Sequence, residues 1–359
     1  MAKILYAAGT AEHLRHFHTE YIEVLRAEGH EVITMARGTG VDINIPFEKK
    51  MFSPKNLTCI IKLQKIIKRK RFDAIFLNTT LAAFNVRMAL GKRRPRVVNF
   101  VHGYMFSEKP CGIKEKIFLL AERILTRKTD SIMVMNEEDY RIATRNGLTR
   151  GEVVLTRGMG ASIREVVQSA AAIRKNLASQ DSFVICCVGE LSRLKNQELL
   201  IRSLPRITQQ IPNAVLWLIG KGKEKKGLSA LSTELSIDNS VRFVGYVDNP
   251  VDYIRASDLY IAPSNKEGLP FNVLEALAVR KPIIATNVKG HRDLIENGVT
   301  GLLFNKNSSE ELVENILDIY KKIVILNGEK QAETYEKYCK EEVFEENLKL
   351  MKQLMRLER

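Results

Sequence analysis

Cysteine and long apolar runs are both scarce in this sequence, and each shortage excludes a class of protein. Its 359 residues contain five cysteines, Cys59, Cys111, Cys186, Cys187 and Cys339. They are scattered and form no Cys-x-x-Cys pair or Cys/His cluster, so we expect no zinc site and a reducing, cytoplasmic environment. Cys186 and Cys187 lie in an apolar run and are predicted to be small core residues.

No uninterrupted apolar stretch is long enough to span a bilayer. The N-terminus, from Met1 to Gly9, is predicted to form a first strand, because its apolar run is too short for a signal peptide and lacks a cleavage site. With 45% hydrophobic and 27% charged residues, the composition is that of a soluble globular protein. The length is too great for one ordinary core and favours two domains.

Acidic residues are scarce in the first half of the chain, which leaves that half strongly basic. The net charge is +14, and residues 1–170 alone hold 29 Lys and Arg against 17 Asp and Glu, or +12. The densest basic runs lie at 62–71 and 92–96. Such asymmetry indicates an anionic partner: a membrane surface, nucleic acid or a polyphosphate ligand. A solvated helix face with a basic turn is the structural alternative.

Short apolar runs alternate with amphipathic segments along the whole chain, which is the βα pattern of parallel sheets. Helices are predicted between the apolar runs, including one over 13–28, and the polar segment 161–180 is expected to be helical. The pattern predicts two doubly wound α/β domains in tandem with a ligand between them. Strands are predicted at 4–8, 31–36, 74–77, 97–101, 131–135, 153–155, 183–188, 215–219, 241–243, 259–262, 283–286 and 301–304.

The segment from Ser264 to Ala276 joins a predicted strand to a predicted helix through a short loop. Glu267 lies in the loop, and Glu275 lies two turns into the helix. Pro270 suits the first helical turn, because its missing N–H would be unpaired there. The free N–H groups and the helix dipole favour a diphosphate, and the two carboxylates are candidates for hydrogen bonds to the hydroxyls of a nucleotide-sugar. The alternative is that both acids are surface residues stabilised by the helix dipole.

Three further turns follow predicted strands and carry candidate binding groups. After the strand at 183–188, a polar loop contains Arg193 and Lys195, whose charges suit phosphates at a strand end. His102 ends another strand and is a candidate donor to a sugar hydroxyl or a developing charge. Gly9, in the first βα turn, allows close backbone approach to a ligand. Taken singly, these features also fit an exposed basic loop, a structural histidine and an ordinary tight turn.

Glu267 and Glu275 have the spacing of an E-x7-E motif, and the sequence around them resembles that of the retaining family 4 glycosyltransferases. The resemblance runs over almost the whole chain. Part of it points to a bacterial subgroup that builds capsular and extracellular polysaccharide. The segments similar to the family are 262–264, 281–285 and 290–295, and those similar to the subgroup are 45–47, 101–103 and 136–140.

The resemblance implies a GT-B fold, an α/β architecture in which two Rossmann-like domains with doubly wound parallel sheets face each other across a cleft. The N-terminal domain, at 1–165, would bind the acceptor, and the C-terminal domain, at 166–335, would bind the nucleotide-sugar. A C-terminal helix at 336–359 is expected to pack back on the first domain. By position in the motif, Glu267 would contact hydroxyls of the donor sugar and Glu275 the ribose.

The resemblance also implies how the leaving group is held. Backbone amides near Gly268 and Leu269, at the helix start marked by Pro270, would bind the diphosphate together with Lys195 and Arg193. His102 would lie beside the transferred sugar. The sequence has no Asp-x-Asp motif, in agreement with an enzyme that needs neither metal nor other cofactor. The family transfers with retention at the anomeric carbon, and a front-side mechanism, in which the leaving phosphate helps to take the acceptor proton, needs no protein nucleophile.

Two donor-side positions depart from the family pattern. Glu190 stands where many members have Arg, which leaves Arg193 and Lys195 as the cations for the diphosphate. Gly9 stands alone where a double glycine is common. Both Glu190 and Gly9 remain in the predicted donor-binding set.

The leading hypothesis is a metal-independent transferase that moves a hexose or N-acetylhexosamine from a UDP-sugar to an undecaprenyl-diphosphate-linked glycan, in capsule, exopolysaccharide or O-antigen synthesis. The enzyme would lie at the inner face of the plasma membrane, whose anionic leaflet attracts the basic N-terminal half. The alternatives are a nucleotide-sugar epimerase on a similar scaffold, a non-catalytic nucleotide-sugar sensor, and a nucleic-acid-binding protein. Nucleic acid is disfavoured, because the basic runs have little aromatic interleaving and no recognisable binding motif.

Overall fold

The chain forms two compact units in a computed structural model that describes residues 1–48 and 53–357. The first unit comprises Met1–Gly160 and Glu341–Arg359, and the second comprises Ala161–Lys340. The sequence placed the domain boundaries after residues 165 and 335, a few residues away from these divisions. Each unit is built around a parallel sheet with helices on its faces, as the alternation of apolar and amphipathic segments predicts.

The first unit contains a seven-stranded sheet among its described residues, with the order β3-β2-β1-β4-β5-β6-β7 and parallel pairing throughout. The strands are β1 (Lys3–Thr10), β2 (Glu31–Arg37), β3 (Ile43–Asn44), β4 (Ala74–Asn78), β5 (Arg96–Val101), β6 (Ser131–Val134) and β7 (Val153–Leu155). The helices are α1 (Ala11–Phe17), α2 (Thr19–Ala27), α3 (Pro54–Lys70), α4 (Thr80–Ala89), α5 (Ile113–Leu125) and α6 (Glu137–Arg145). The strand order reverses direction between β1 and β4.

The second unit contains a six-stranded sheet of the same kind within the described chain, ordered β10-β9-β8-β11-β12-β13. Its helices are α7 (Ala170–Asn176), α8 (Gln197–Gln210), α9 (Lys225–Glu234), α10 (Pro250–Ala256), α11 (Phe271–Ala278), α12 (His291–Leu294), α13 (Ser309–Tyr320) and α14 (Gly328–Glu336), and α15 (Lys340–Met355) follows. Its strands are β8 (Phe183–Val188), β9 (Ala214–Ile219), β10 (Val241–Gly245), β11 (Leu259–Ala262), β12 (Ile283–Thr286) and β13 (Leu302–Phe304). Here the order reverses between β8 and β11, a position where doubly wound sheets bind ligands.

The strands are apolar along most of their length because helices cover both faces of each sheet. Cys186 and Cys187 in β8 are buried, which confirms their predicted place in the core, and Trp217 in β9 is fully buried. All five cysteines are free thiols. No helix in the described part of the chain is long and apolar enough to cross a membrane.

Two helix predictions are wrong in their extent. The helix predicted over 13–28 is broken at His18, whose backbone (φ −128°, ψ −3°) separates α1 from α2 while its Nδ1 shares a 2.9 Å hydrogen bond with the Tyr6 hydroxyl. In the segment 161–180 only α7 is helical. The Asp252 carboxylate accepts hydrogen bonds from the backbone N–H groups of Val167 (3.0 Å) and Gln168 (2.9 Å), and these hold the chain before α7 in a non-helical path.

The last helix, α15, packs on the first unit. The Asn347 side-chain amide donates a 2.6 Å hydrogen bond to the Gly158 carbonyl, and Lys352 forms a 2.7 Å ion pair with Glu28 on the turn after α2. The Tyr21 and Phe344 rings also lie 4.5 Å apart, centroid to centroid. Helix α15 is therefore part of the first unit's core.

Candidate functional site

In the second unit, the candidate site lies where the adjacent strands β8 and β11 end. The loop after β8 carries Lys195, and the loop after β11 carries Glu267. Because both strands run parallel, their carboxyl ends meet at the same edge of the sheet, at the reversal of strand order. The sequence placed both loops at strand ends, and the structure brings them together.

Hydrogen bonds tie the two loops into one piece. The Asn265 backbone N–H donates to the Leu194 carbonyl (2.8 Å), and the Asn265 side chain donates to the Arg193 carbonyl (2.9 Å). In the other direction, the Asn196 side chain donates to the Pro263 carbonyl (3.3 Å). These crosslinks fix the spacing of the side chains that the loops carry, so the site is preorganised.

Lys195 and Glu267 form a direct ion pair, with 2.6 Å between Lys195 Nζ and Glu267 Oε1. Their side chains are only 23% and 11% exposed, so water screens the pair weakly. The sequence assigned Lys195 to a diphosphate and Glu267 to a sugar but did not predict that the two would bind each other. The structure places a cation beside an anion. The Lys195 ammonium can bind an anionic group of a ligand, and the Glu267 carboxylate can accept hydrogen bonds from a ligand.

Two glycines allow the backbone of neighbouring loops to approach this pair. A Cβ on Gly220, which follows β9 with φ +139°, would lie 2.0 Å from the Gly189 carbonyl oxygen at the end of β8. A Cβ on Gly290, with φ +79°, would lie 2.6 Å from the Gly268 carbonyl oxygen. Any side chain at either position would therefore push the candidate site apart.

The helix after the Glu267 loop starts one residue later than predicted. Pro270 is the N-cap of α11 rather than its first residue, and no side chain caps this end. Leu269 is buried, and the Asn272 side chain donates a 2.9 Å hydrogen bond to the Val188 carbonyl at the end of β8. This last bond anchors the start of α11 to the neighbouring strand.

Glu275 lies on the second turn of α11 in a largely buried position. Burial raises the pKa of its carboxyl to about 7, and the positive charge of Arg164 partly offsets that rise. A hydrogen-bond donor from a ligand would stabilise the ionised form and lower this pKa again. The predicted ribose-binding residue is therefore a group whose charge at neutral pH depends on what it contacts.

Two predicted donor-binding residues have exposed side chains in this structure. The Arg193 side chain is 89% exposed and lies 3.7 Å from Glu224, in contrast to the sheltered Lys195. Glu190 is also exposed, and its backbone carbonyl accepts a 3.0 Å hydrogen bond from the Gln197 side chain. Of the two predicted cations, Lys195 is therefore the one held in the preorganised site.

His291, at the start of α12, is a candidate residue that sequence reasoning did not assign. Its Nδ1 donates a 2.8 Å hydrogen bond to the Thr286 carbonyl, and its buried Nε2 has no partner among the described residues. Burial lowers the pKa of this imidazole, and the nearby Glu267 carboxylate opposes the shift. A neutral ring that donates through Nδ1 leaves Nε2 as an acceptor. The available signal was the segment 290–295, which was recognised only as part of the family resemblance.

In the first unit, His102 lies in a cluster of three histidines after β1 and β5. His13 and His18 share a hydrogen bond between their Nε2 atoms (3.2 Å), and the His13 and His102 rings are 4.8 Å apart, centroid to centroid. His102 Nε2 is buried and has no partner among the described residues. The sequence patterns did not single out His13 and His18, although three of the six histidines fall within residues 13–18.

Burial keeps the three imidazoles neutral. It lowers the pKa of His102 to about 3 and that of His13 to about 4, and it lowers the pKa of His18 as well. Repulsion from a neighbouring positive charge adds to each shift: from His16 for His13, from His13 for His102, and from His102 and His13 for His18. One donor nitrogen from each ring falls in a group within 4.8 Å, so these three are the side chains in the described chain that could hold a transition metal.

Gly9 is not open to a ligand through its backbone N–H. This group donates a 2.9 Å hydrogen bond to the Thr79 hydroxyl, and a Cβ at position 9 would lie 3.0 Å from the same oxygen. Gly9 thus allows β1 and the turn after β4 to approach at the reversal of strand order in the first sheet. Its predicted contact with the donor would have to use another part of this turn.

Two protein-family models match the chain. Residues 17–156 match the model described as Glycosyltransferase Family 4, and residues 169–341 match the model described as Glycosyl transferases group 1. These matches fall in the first and second units, respectively. Each unit therefore has its own match to a glycosyltransferase family.

Named relatives include a putative glycosyltransferase, EpsD, of Bacillus subtilis (strain 168), which is 30% identical over 89% of this chain and 88% of its own length. The UDP-Gal:alpha-D-GlcNAc-diphosphoundecaprenol alpha-1,3-galactosyltransferase of Escherichia coli is 22% identical over 74% of this chain and 70% of its own length. Among solved structures, Anabaena HepE in complex with UDP is 19% identical, covers 98% of this chain and 100% of its own, and has a TM-score of 0.72. The chain therefore has the GT-B fold and belongs to the family 4 glycosyltransferases.

Proposed function

We propose that the protein transfers a hexose or N-acetylhexosamine, with retention of anomeric configuration, from a UDP-sugar to an undecaprenyl-diphosphate-linked glycan in polysaccharide biosynthesis. The observation that carries the proposal is the sheltered Lys195–Glu267 pair at the strand reversal of the second unit. A UDP-sugar offers a binding group to each partner of the pair: the diphosphate can bind the cation, and the sugar hydroxyls can bind the carboxylate.

On the donor side, Lys195 would turn from Glu267 to the diphosphate when the nucleotide-sugar binds. An ammonium held in a sheltered place forms a charge-assisted hydrogen bond with a phosphate oxygen and stabilises the charge that develops as UDP leaves. Backbone amides at Gly268 and Leu269 are close enough in the chain to add donors to the same phosphates. The UDP bound in the structure of HepE, which has the same fold, supports a uridine diphosphate as the ligand.

Glu267, once released, would accept hydrogen bonds from hydroxyls of the donor sugar, and Glu275 would accept them from the ribose. The raised pKa of Glu275, about 7, suits this role because ribose hydroxyls would satisfy a carboxylate that is otherwise poorly solvated. Both roles are those that the family resemblance implies. The exposed Arg193 would serve as a secondary cation for the diphosphate, and Glu190 would lie at the edge of the donor site.

On the acceptor side, neutral His102 would contact the transferred sugar. A buried imidazole with a pKa of about 3 carries no positive charge at pH 7, so it can donate or accept a hydrogen bond without competing with Lys195 for the diphosphate. The lipid-linked acceptor is supported by the name of the Escherichia coli relative, whose substrate is a diphosphoundecaprenol. The basic first half of the chain supports attachment to the anionic inner leaflet of the plasma membrane.

The chemistry would need no metal and no protein nucleophile. The bond from the anomeric carbon to the UDP oxygen breaks, the acceptor oxygen bonds to the same carbon on the same face, and the acceptor proton passes to the departing phosphate. Lys195 and the backbone amides would carry the charge that a metal ion carries in other transferases. Addition of EDTA should therefore leave the rate unchanged, and a rate that depends on added Mg²⁺ or Mn²⁺ would contradict this part of the proposal.

The direct test is to incubate the protein with a panel of UDP-sugars and an undecaprenyl-diphosphate-linked sugar, and to analyse both products. We expect UDP release that depends on the acceptor, and a new glycosidic bond whose configuration by NMR matches that of the donor. Glu267→Ala should abolish transfer. Conversion of one UDP-sugar into another without an acceptor would indicate an epimerase instead, and an unchanged rate for Glu267→Ala would overturn the assignment of this residue.

A further inference from the structure

Helix α5 exposes a row of large aliphatic side chains to solvent. Ile113, Ile117, Leu120 and Ile124 are 79%, 45%, 57% and 64% exposed. Their spacing of four, three and four residues places them along one side of the helix. We refer to these four residues as the α5 stripe. Exposed aliphatic side chains scattered singly are ordinary, but a continuous row of four on one helix marks a surface that is covered in use.

The exposed charged side chains of α5 itself are all positive. Lys114, Lys116 and Arg123 are the exposed charged residues of α5. The helix has two acidic residues, and both are turned inward. Glu115 is half-buried and accepts hydrogen bonds from the Ser107 hydroxyl (3.0 Å) and the Cys111 backbone N–H (3.2 Å). Glu122 is buried in a 2.7 Å ion pair with Arg87 of α4, so the outer surface of α5 consists of aliphatic and cationic side chains.

Exposed cations and aliphatic side chains also lie on α3, on the far side of α4. Helix α4 packs against both α3 and α5, so the three helices lie side by side. Neither α3 nor α4 contains an acidic residue. The exposed cations of α3 include Lys62, Lys65 and Lys68, and the same helix exposes Leu57 and Ile61. One face of the first unit therefore exposes only positive charges from α3 and α5. Exposed aliphatic side chains lie on both of these helices, on either side of α4, whose one charged residue, Arg87, is buried.

We infer that this face lies on an anionic lipid bilayer, with the α5 stripe inserted at the boundary between headgroups and acyl chains and the cations of α3 and α5 over the lipid phosphates. Aliphatic side chains flanked by Lys and Arg are the composition of helices that lie in a membrane interface. A second copy of the chain does not fit, because an isologous contact would set two positive faces against each other. The inference rests on the membrane part of the proposed function and not on its chemistry.

The test is binding to vesicles of phosphatidylcholine, with and without phosphatidylglycerol, measured by flotation in the absence of any sugar. We expect binding to the anionic vesicles. The double substitution Ile117→Ser and Leu120→Ser should lower the partition coefficient by about tenfold or more, since each side chain loses its apolar burial. The matched control is Ile323→Ser with Ile325→Ser, which removes two exposed isoleucines of the second unit and should leave binding within about twofold of the wild type.

A second measurement distinguishes insertion of the α5 stripe into the bilayer from electrostatic attraction of the protein to the bilayer surface. The one tryptophan of the chain, Trp217, is fully buried, so Leu120→Trp introduces a reporter on the α5 stripe. We expect its emission to shift to shorter wavelength on anionic vesicles and to be quenched by lipids with brominated acyl chains. Lys114→Glu with Lys116→Glu should weaken binding most at low salt, where electrostatic attraction is least screened.

Three results would overturn the inference. These are vesicle binding by the Ile117→Ser and Leu120→Ser variant that equals that of the wild type, a Leu120→Trp signal that brominated lipids do not quench, and a dimer in light scattering that the same serine variant abolishes. In detergent with a lipid-linked acceptor, the serine variant should keep its transfer rate. A protein that binds vesicles but transfers no sugar would contradict the proposed chemistry and leave the membrane face intact.

Discussion

The carboxyl edges of the two sheets carry opposite kinds of chemistry. In the second unit, the reversal of strand order holds a charged pair, Lys195 and Glu267, at 2.6 Å. In the first unit, the corresponding edge holds three histidines that burial keeps neutral, with pKa values of about 3 for His102 and about 4 for His13. One doubly wound architecture thus presents full charges in one unit and uncharged hydrogen-bonding groups in the other.

The proposed function would account for this difference. A nucleoside diphosphate is strongly anionic and needs a cation at its binding site, whereas a sugar hydroxyl needs a donor or acceptor that does not attract the diphosphate. In the proposed function, the charged pair of the second unit serves the diphosphate and the neutral imidazoles of the first unit serve sugar hydroxyls. Substitutions in either unit test this contrast.

The largest effect is expected from Glu267→Gln. Loss of the carboxylate removes the contact to the donor sugar and should lower kcat by about 100-fold or more, since the sugar is no longer held for attack. The same change frees Lys195 from its partner, so UDP affinity in calorimetry should be equal to or tighter than that of the wild type. Weaker UDP binding with an unchanged kcat would place Glu267 on the nucleotide and contradict the assignment.

A smaller effect, about tenfold in UDP affinity, is expected from Glu275→Gln, because one charge-assisted hydrogen bond to the ribose becomes a neutral one. Wild-type protein should bind 2′-deoxy- or 3′-deoxy-UDP more weakly than UDP, and Glu275→Gln should discriminate less. Equal discrimination by both proteins would remove Glu275 from the ribose site. A general loss of structure would weaken UDP and deoxy-UDP binding alike, so the ratio of these two affinities within each protein controls for it.

Glu275 also gives the second unit a defined pH dependence. Its pKa is about 7 in the folded chain and near 4.5 in the unfolded chain, so the folded state binds the proton more tightly. Its contribution to stability is full below about pH 4.5 and is lost as pH rises through about 7. Glu275→Gln should therefore raise the free energy of unfolding at pH 8, by on the order of 2 kcal/mol, and change it little at pH 5.

The smallest effect concerns the histidine cluster. Its contribution to stability is lost as pH falls, whereas that of Glu275 is lost as pH rises. The pKa values of His13 and His102 lie below the ordinary value of 6.5, so their contribution to stability is full above pH 6.5 and is lost as pH falls toward about 4. Hydrogen exchange in the first unit should rise between pH 6.5 and 4.5 after correction for intrinsic rates. His13→Gln should reduce that rise, and the control His30→Gln, which lies outside the cluster, should not. An equal rise in both variants would show that the cluster is not responsible.

Much of the fold could be predicted from local patterns. The strand predicted at 183–188 matches β8, because a parallel strand buried on both faces is a continuous apolar run bounded by polar turns. The E-x7-E spacing likewise located the loop and helix that carry Glu267 and Glu275. These features depend on residues that are neighbours in the sequence, and a pattern can report them.

The remaining features depend on contacts between distant residues. The break at His18 is held by Tyr6, twelve positions away on β1, and nothing in the run 13–28 interrupts its helical periodicity. The Lys195–Glu267 pair joins loops 72 residues apart. The histidine cluster needs β1 and β5 to end at one edge of the sheet, which the order of strands decides. The inward turn of Glu115 and Glu122, which leaves α5 without exposed acids, was equally hidden in the sequence.

Calorimetric binding of UDP and of uridine to the wild type, Lys195→Met and Arg193→Met shows whether the sheltered pair is the diphosphate site. If Lys195 holds the diphosphate, the wild type should prefer UDP to uridine by about 100-fold, Lys195→Met should lose most of that preference, and the exposed Arg193→Met should keep it within about threefold. Uridine binding should be similar in all three. A Lys195→Met variant that prefers UDP as strongly as the wild type would contradict the claim that the sheltered pair is the diphosphate site.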